Sequence, residues 1–427
     1  MEYIKNARVG EEYIRTVHKS GVTVCMCPMR GFGSTYALFG TKYGSVDTTF
    51  KTEKDANFTT VPEGIAHYLE HKLFENEDCD AFKQFSETGA SSNAYTSFDR
   101  TAYLFTCSQQ FEKNLKILLN FVTSPYFTDE TVAKEQGIIG QEIQMYDDEP
   151  GWRVFFGGLE ALYEQNPVRV NIAGTTESIK NIDKVLLYKC YETFYNPHNM
   201  FLCIAGKFEP DVVMSICDEI LRPAENPKLE VVIPDEPPRV RVHENCQILS
   251  CPMPLYNIMW KLPNDIEKTC PGAFVKYNIM LEFALGSCSD FYTKTYNDGI
   301  INDTFTVSVF NGRGFFACIA DGEAREPHKV YDCVMAEFAR LAKLDDTEVE
   351  HLRKLFTSIK KKTYGELVST FNRVEAVASA MLDAELKNGT MFDNIEIVAG
   401  VTFEDIVTLL RSFDYTNSLI SIVSNNK

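Results

Sequence analysis

The sequence predicts an α+β protein built as two related halves, and three observations carry this. Strand-like segments, alternating or continuously apolar, are interspersed with longer segments of helical period in both parts of the chain. A stretch rich in proline and charge, residues 222–238, offers few positions for regular structure and reads as a connection between domains. After it the pattern weakly repeats. Phe111-Glu-Lys-Asn-Leu followed by Thr128-Asp-Glu-Thr-Val-Ala-Lys-Glu135 matches, in spacing and turn chemistry, Val330-Tyr-Asp-Cys-Val followed by Asp345-Asp-Thr-Glu-Val-Glu-His351. The expected division is a first domain over 1–225, a linker over 226–242 and a second domain over 243–427. A chain of 427 residues, 44% of them hydrophobic, has ample material for the cores of two or three domains.

Residues 13–45 alternate and break like a meander, with strands expected over 23–27 and 35–43 around a turn at Arg30-Gly-Phe-Gly33. Cys25 and Cys27 share one face of the first of these and read as small core residues. Thr60 and Glu63 form a capping-box pattern with Pro62 in the first turn, so a helix is expected to start there. A short helix over 79–88 should end at Gly89, a left-handed cap. Segments 91–96 and 101–107 are β-rich, and 111–122 is helical before Pro125. A helix with an acidic first turn follows over 129–145. Residues 186–194 are helical, and Asn196-Pro197-His198-Asn199 is a turn into a strand over 200–205, which makes His198 a turn residue.

The net charge of −18 argues against a general nucleic-acid role, since phosphate binding needs basic surface. Lys360-Lys-Lys362 is the one compact basic run of note and reads as a solvated helix face. No segment approaches the ~18–20 apolar residues that span a bilayer, and Met1-Glu-Tyr-Ile-Lys-Asn-Ala-Arg is too polar for a secretory signal. Thirteen cysteines, an odd number without a C-x-x-C pair, point to reduced thiols and a cytoplasmic location.

The most informative stretch is His67-Tyr-Leu-Glu70-His71. On a helix these three polar groups project from one face about a turn long, while Ile65, Leu69 and Leu73 form a separate apolar stripe. Two neutral imidazoles at one-turn spacing can reach one zinc ion, with Glu70 beside the metal as a general base rather than a ligand. It would take a proton from a water that zinc has acidified toward a pKa of ~7. A third ligand is needed. In the helix over 129–145, Glu135, Ile138, Ile139, Glu142 and Met145 share a face, which places two carboxylates on an apolar stripe. A cation removes the cost of burying a carboxylate, so Glu142 is assigned as ligand and Glu135 as partner to a histidine. Glu75, Glu77 and Asp148 are the alternatives to Glu142.

With these motifs in view, the chain resembles the pitrilysin/insulinase family of zinc peptidases, which includes the mitochondrial processing peptidase. The likeness rests on His67-Tyr-Leu-Glu70-His71, the Glu135 and Glu142 pair, Gly89-Ala-Ser-Ser-Asn93-Ala94-Tyr95-Thr96 with the residues to Tyr103, and Phe194-Tyr-Asn-Pro197-His-Asn199-Met200. It covers the N-terminal half, and its wording is similar to a bacterial subgroup whose members occur as paired subunits. The resemblance implies two α+β repeats, each a mainly antiparallel sheet with helices on one face. It also implies endoproteolysis of extended peptides with one zinc per chain. Asn93, Ala94 and Tyr95 are then the sheet edge along which a peptide pairs, and Phe74 lines the apolar pocket beside the scissile bond.

One departure matters. Members of the family complete the site with an arginine and a tyrosine from the second half. The corresponding positions here are Thr293 and Ile300, with Tyr292, Lys294 and Tyr296 nearby but out of register. Nor does the motif recur in the second half, where 273–285 offers Lys276, Tyr277 and Glu282 but no histidine. The resemblance therefore implies a homologous partner subunit that supplies the arginine and tyrosine, while charge and hydropathy give neither nucleic acid nor membrane as a partner. The rival readings are a family member that only binds a peptide or partner, and another metal-assisted amide hydrolase.

Overall fold

The computed structural model describes residues 1–75, 81–344 and 346–425, with backbone alone across 346–351. The start of the helix expected over 79–88, the alternative ligand Glu77 and the Asp345 end of the internal repeat lie outside the described residues. The chain folds into two compact units that are interleaved in sequence.

The first unit comprises Met1–Ile143, Asn171–Val232 and Val368–Asp393. Its strands are β1 (Glu2–Asn6), β2 (Glu11–Val17), β3 (Thr23–Pro28), β4 (Thr35–Thr41), β5 (Thr49–Thr52), β6 (Thr59–Thr60), β7 (Ser91–Thr96), β8 (Thr101–Cys107), β9 (Met200–Gly206) and β10 (Leu229–Val231). Seven of them form one sheet in the order β1-β2-β3-β9-β4-β8-β7, while β10, β5 and β6 make a small second sheet. The expected meander is corrected here. β3 and β4 are not neighbours, because β9 inserts between them, parallel to β3 and antiparallel to β4. All three strands are apolar on both faces, as suits the centre of a sheet, and the glycine-rich turn at 30–33 does not dictate which strand pairs with which. Cys25 and Cys27 are buried in β3, and every cysteine among the described residues is free.

The helices that follow are α1 (Ile65–Leu73), α2 (Ala81–Thr88), α3 (Phe111–Val122) and α4 (Asp129–Asp147). Gly89 closes α2 in the left-handed region at φ 73°, as expected. The start of α1 differs from expectation. Thr60 is in β6, paired with Thr49, and α1 begins after Gly64 at φ 88° with no side-chain cap. A close approach of two loops replaces the capping box. A Cβ on Gly64 would lie 2.4 Å from the Ala173 carbonyl and one on Gly174 2.5 Å from that of Glu63, while Ser178 Oγ donates to the Glu63 carbonyl at 2.8 Å.

The second unit comprises Gln144–Val170, Ile233–Leu367 and Asn394–Lys427. Its strands β11 (Glu244–Ile248), β12 (Leu255–Lys261), β13 (Thr306–Gly312), β14 (Phe315–Glu323) and β15 (Ser418–Ser424) are ordered β11-β15-β12-β14-β13. One pair, β11 with β15, is parallel and the rest are antiparallel. That is the order and direction of β3-β9-β4-β8-β7, so the two units are copies of one α+β design. The helix Ala273–Ala284 occupies the place of α1, between β12 and β13, and it too starts after a left-handed glycine, Gly272 at φ 75°. Counted from that glycine, His67, Glu70 and His71 correspond to Val275, Asn278 and Ile279. Among the described residues the second copy has no counterpart of the His67-Glu70-His71 cluster.

Each of the two large sheets also packs a helix from the opposite half of the chain. Val374–Leu386 lies on β4 and β9 of the first unit, where Gly40 makes room for Leu382 and Arg15 grips Glu385 with two hydrogen bonds, 2.7 and 3.0 Å. Pro150–Leu162 lies on β12 and β15 of the second, where a Cβ on Gly158 would meet Met259 at 2.7 Å. Residues 226–242, expected as a linker, span the change of unit at Val232 and Ile233 and are partly structured. β10 pairs with β5, and Glu236 accepts hydrogen bonds from the backbone N–H groups of Glu164, Gln165 and Asn166 at 2.7–2.8 Å and from Lys261 at 2.6 Å.

Candidate metal centre

Helix α1 is buried over almost its whole length, and it presents His67 and Glu70, each 8% exposed, together with the half-buried His71. Helix α4 runs beside it, tied by the Tyr68 hydroxyl to the Val132 carbonyl, and contributes Glu135 and Glu142, seven residues and about two turns apart on one stripe. His67, His71 and Glu142 converge, with their ligand atoms all within 4.8 Å of one another. Glu142 Oε1 stands 3.7 Å from His67 Nε2, and its Oε2 stands 3.4 Å from His71 Nε2. These separations are long for hydrogen bonds and right for co-ligands, since two atoms each ~2.0–2.1 Å from one tetrahedral zinc stand roughly 3.3–3.4 Å apart. Two imidazoles and a carboxylate leave a fourth position open, which is the donor set of a catalytic rather than a structural zinc site.

The rest of the cluster supports the two rings. Glu135 Oε1 accepts from His71 Nδ1 at 2.9 Å, so that Nδ1 carries the hydrogen and Nε2 faces Glu142. The His67 ring lies 4.6 Å from that of His71, tilted by 59°. Its Nδ1 is buried without a partner among the described residues, so packing holds this ring in place of a second hydrogen bond. Burial, with His71 adding to it, pushes the His67 pKa down to about 4 and keeps the imidazole neutral. Burial also depresses His71, but the hydrogen bond it donates to Glu135 and the nearby Glu142 and Glu70 carboxylates outweigh that and lift the pKa to about 10. Without metal, the carboxylates therefore favour a proton on His71, whose place a bound dication would take. Glu70 lies outside the ligand triangle. Burial raises its pKa, which Thr96 only partly offsets by donating from Oγ1 to Glu70 Oε2 at 2.6 Å.

Of the alternative ligands, Glu75 is engaged by Lys72 at 2.5 Å and Lys134 at 3.6 Å, and Asp148 is not in the cluster. Strand β7 is an edge of its sheet, as expected for Asn93, Ala94 and Tyr95. Asn93 is exposed, and its Oδ1 accepts from the Ala94 N–H at 2.9 Å. Strand alternation puts the Tyr95 ring on the sheet face opposite that of Thr96 and Glu70, so only its backbone shares the edge beside the cluster. Phe74, directly after α1, is 8% exposed and stacked on Phe82 and Phe121 with centroids 4.1 and 5.1 Å apart. His198 is a turn residue, bonded through Nε2 to the Ala224 carbonyl at 3.2 Å. Thr96 is the site residue that the sequence reading passed over. The signal available was alternation along β7, which gives Thr96 the face of the motif helix.

A duplicated α+β fold carries an H-x-x-E-H helix that faces a downstream glutamate, and comparison with known proteins gives the class to which this fold belongs. The family model described as Insulinase (Peptidase family M16) matches residues 59–176, and the one described as Peptidase M16 inactive domain matches residues 181–356. A protein called "Uncharacterized zinc protease YmfH", from Bacillus subtilis, is 38% identical over 92% of this chain and 91% of its own. The chain belongs to the pitrilysin/insulinase family, M16. Among solved structures, one described as "putative M16-like peptidase from Alicyclobacillus acidocaldarius" is similar at TM-score 0.89 and 30% identity, covering 99% of this chain and 98% of that one. The periplasmic protease PqqL from Escherichia coli shares the fold at TM-score 0.72 and 15% identity, over 100% of this chain and 48% of that one. No helix among the described residues is long and apolar enough to cross a membrane.

Proposed function

We propose that this protein is a zinc-dependent endopeptidase that cleaves extended peptides or small unfolded proteins, as the catalytic half of a heterodimer. The observation that carries the reading is the placement of the Glu142 oxygens 3.7 and 3.4 Å from His67 Nε2 and His71 Nε2, with Glu70 next to the triangle but not in it. His67 and His71 hold the metal through Nε2 and Glu142 through its carboxylate, while Glu135 fixes the His71 ring from behind. Bound zinc polarises a carbonyl and acidifies a water. Glu70 accepts the proton of the attacking water and returns it to the leaving amine. The free edge of β7 pairs with the substrate backbone as an added strand, and the Asn93 side chain gives up the Ala94 N–H to a substrate carbonyl. Phe74 contributes the apolar wall through the aromatic stack it anchors. A member that only binds peptides would have no use for a buried carboxylate such as Glu70 beside the triangle.

The test is metal analysis of the purified protein together with cleavage of a peptide library, with and without a related chain that lacks the histidine motif. One zinc per chain and cleavage that a chelator abolishes are expected. Absence of cleavage with zinc bound and a partner present would reject the peptidase reading.

A further inference from the structure

We propose that Thr96 is the positioning residue of the proton acceptor, holding Glu70 so that one carboxylate oxygen, Oε1, faces the metal cluster. This rests on the reading of Glu70 as general base. Thr96 ends the edge strand β7, and its Oγ1 is 2.6 Å from Glu70 Oε2. A hydroxyl has a single proton, and beside a carboxylate it donates it. On its other side stands Thr101 Oγ1 at 3.4 Å, whose own proton goes to the Tyr43 carbonyl at 2.9 Å. The Thr96 proton is thus committed to Glu70.

Glu70 needs such a tether. It is 8% exposed, and no lysine or arginine ion pair holds it among the described residues. The last torsion of a glutamate side chain is broad and two-fold, so a free carboxylate would exchange its oxygens. The Thr96 hydroxyl occupies Oε2 while the Thr96 backbone N–H also steadies the carboxylate, so Oε2 is the poorer base and Oε1 is the oxygen that takes the proton. Thr96 also belongs to the strand along which the substrate backbone would pair. A single residue therefore sets the distance between the bound peptide and its proton acceptor, and a displacement of ~1 Å in such a distance can cost ~10²-fold in rate.

Zinc-loaded protein, with its partner chain if turnover requires one, tests the proposal. Thr96→Val removes the hydroxyl while keeping the shape. It should lower kcat by about tenfold to a hundredfold, with KM within about twofold and zinc content unchanged. Thr96→Ser should restore kcat, and Thr96→Ala should match Thr96→Val and serves if the valine variant does not fold. An independent readout needs neither metal nor turnover. The infrared difference spectrum between wild type and Thr96→Val should show a shifted carboxylate band that vanishes when both carry Glu70→Gln. Unchanged kcat in the valine and alanine variants, equal loss in the serine variant, or zinc lost along with kcat would each overturn the proposal. Full turnover by Glu70→Gln would sink the general-base reading instead, with the Thr96-dependent band still present.

Discussion

His71 Nδ1 and Glu135 Oε1 lie 2.9 Å apart, joining residues 64 positions distant in sequence. This hydrogen bond sets the tautomer that aims Nε2 at Glu142 and keeps the ring from turning. Glu135→Ala should therefore weaken zinc binding by about 10- to 100-fold, the range typical of lost partners behind a metal ligand. Glu135→Gln, which still offers an acceptor oxygen, should cost less. Competition against a chelator of known affinity measures both, and an unchanged alanine variant would show that packing alone orients His71.

Ligand and base are separable by two matched substitutions. Glu142→Gln should lose most of the zinc, because an amide oxygen is a poorer ligand than a carboxylate for a dication. Glu70→Gln should keep zinc and peptide binding but lose turnover by several orders of magnitude, since the proton has no acceptor. Metal content by mass spectrometry and single-turnover cleavage distinguish the two. Full zinc retention in Glu142→Gln would return the search for a third ligand to Glu75, Glu77 and Asp148.

Glu236 gives the second unit a pH dependence whose sign is fixed. Burial alone would raise its pKa, but three backbone N–H groups and Lys261 outweigh that and hold it below the ordinary value. A carboxylate with a depressed folded pKa contributes stability that is complete above its unfolded value, ~4.3, and is lost as pH falls through the folded value. The stability gap between wild type and Glu236→Gln should thus be largest above pH ~5 and shrink on acidification. Glu236→Ala, which strands Lys261 at 1% side-chain exposure, should cost about 3–5 kcal/mol near neutral pH. Denaturant unfolding at several pH values checks both, and a gap that grows on acidification would contradict the assignment.

The locally encoded parts of this fold are readable from sequence. The strands Ser91–Thr96 and Thr101–Cys107 and the helix Phe111–Val122 fall where alternation and turn residues place them, and Glu135 and Glu142 share the stripe that helical period assigns. What escapes is decided between distant segments. β9 separates β3 from β4 because three doubly buried strands have no local signal for order. Gly64 replaces Thr60 at the start of α1 because a loop more than a hundred residues on, at Gly174, presses against it. The crossing of Pro150–Leu162 and Val374–Leu386 to the sheet of the other half of the chain depends on Gly158 leaving room for Met259 and Gly40 for Leu382. Nothing local in either segment states which sheet it covers.

At the two second-half positions where the family resemblance implies an arginine and a tyrosine, this chain offers no donor for the proposed reaction. Negative charge develops on the substrate oxygen, and each preorganised donor placed there typically contributes ~2.7–4 kcal/mol. Thr293, at the position of the expected arginine, is exposed on the helix Asp290–Asn297 and gives its hydroxyl proton to the Ser289 carbonyl at 3.2 Å. Ile300, at that of the tyrosine, packs against the apolar core of the second unit. Neither can donate to an oxyanion. A similar chain that keeps the arginine and tyrosine and has lost the histidine motif would supply both across an interface. The isolated protein should accordingly cleave peptides poorly, and mixing with such a chain should raise kcat far more than it lowers KM, because the added donors act mainly in the transition state. Steady-state kinetics across a titration of the partner, with the complex sized in parallel, measures this. The competing arrangement is a homodimer that uses Tyr292, Lys294 or Tyr296 in a shifted register. Robust cleavage by the protein alone, abolished by Tyr296→Phe or Lys294→Ala, would establish that arrangement and reject the heterodimer.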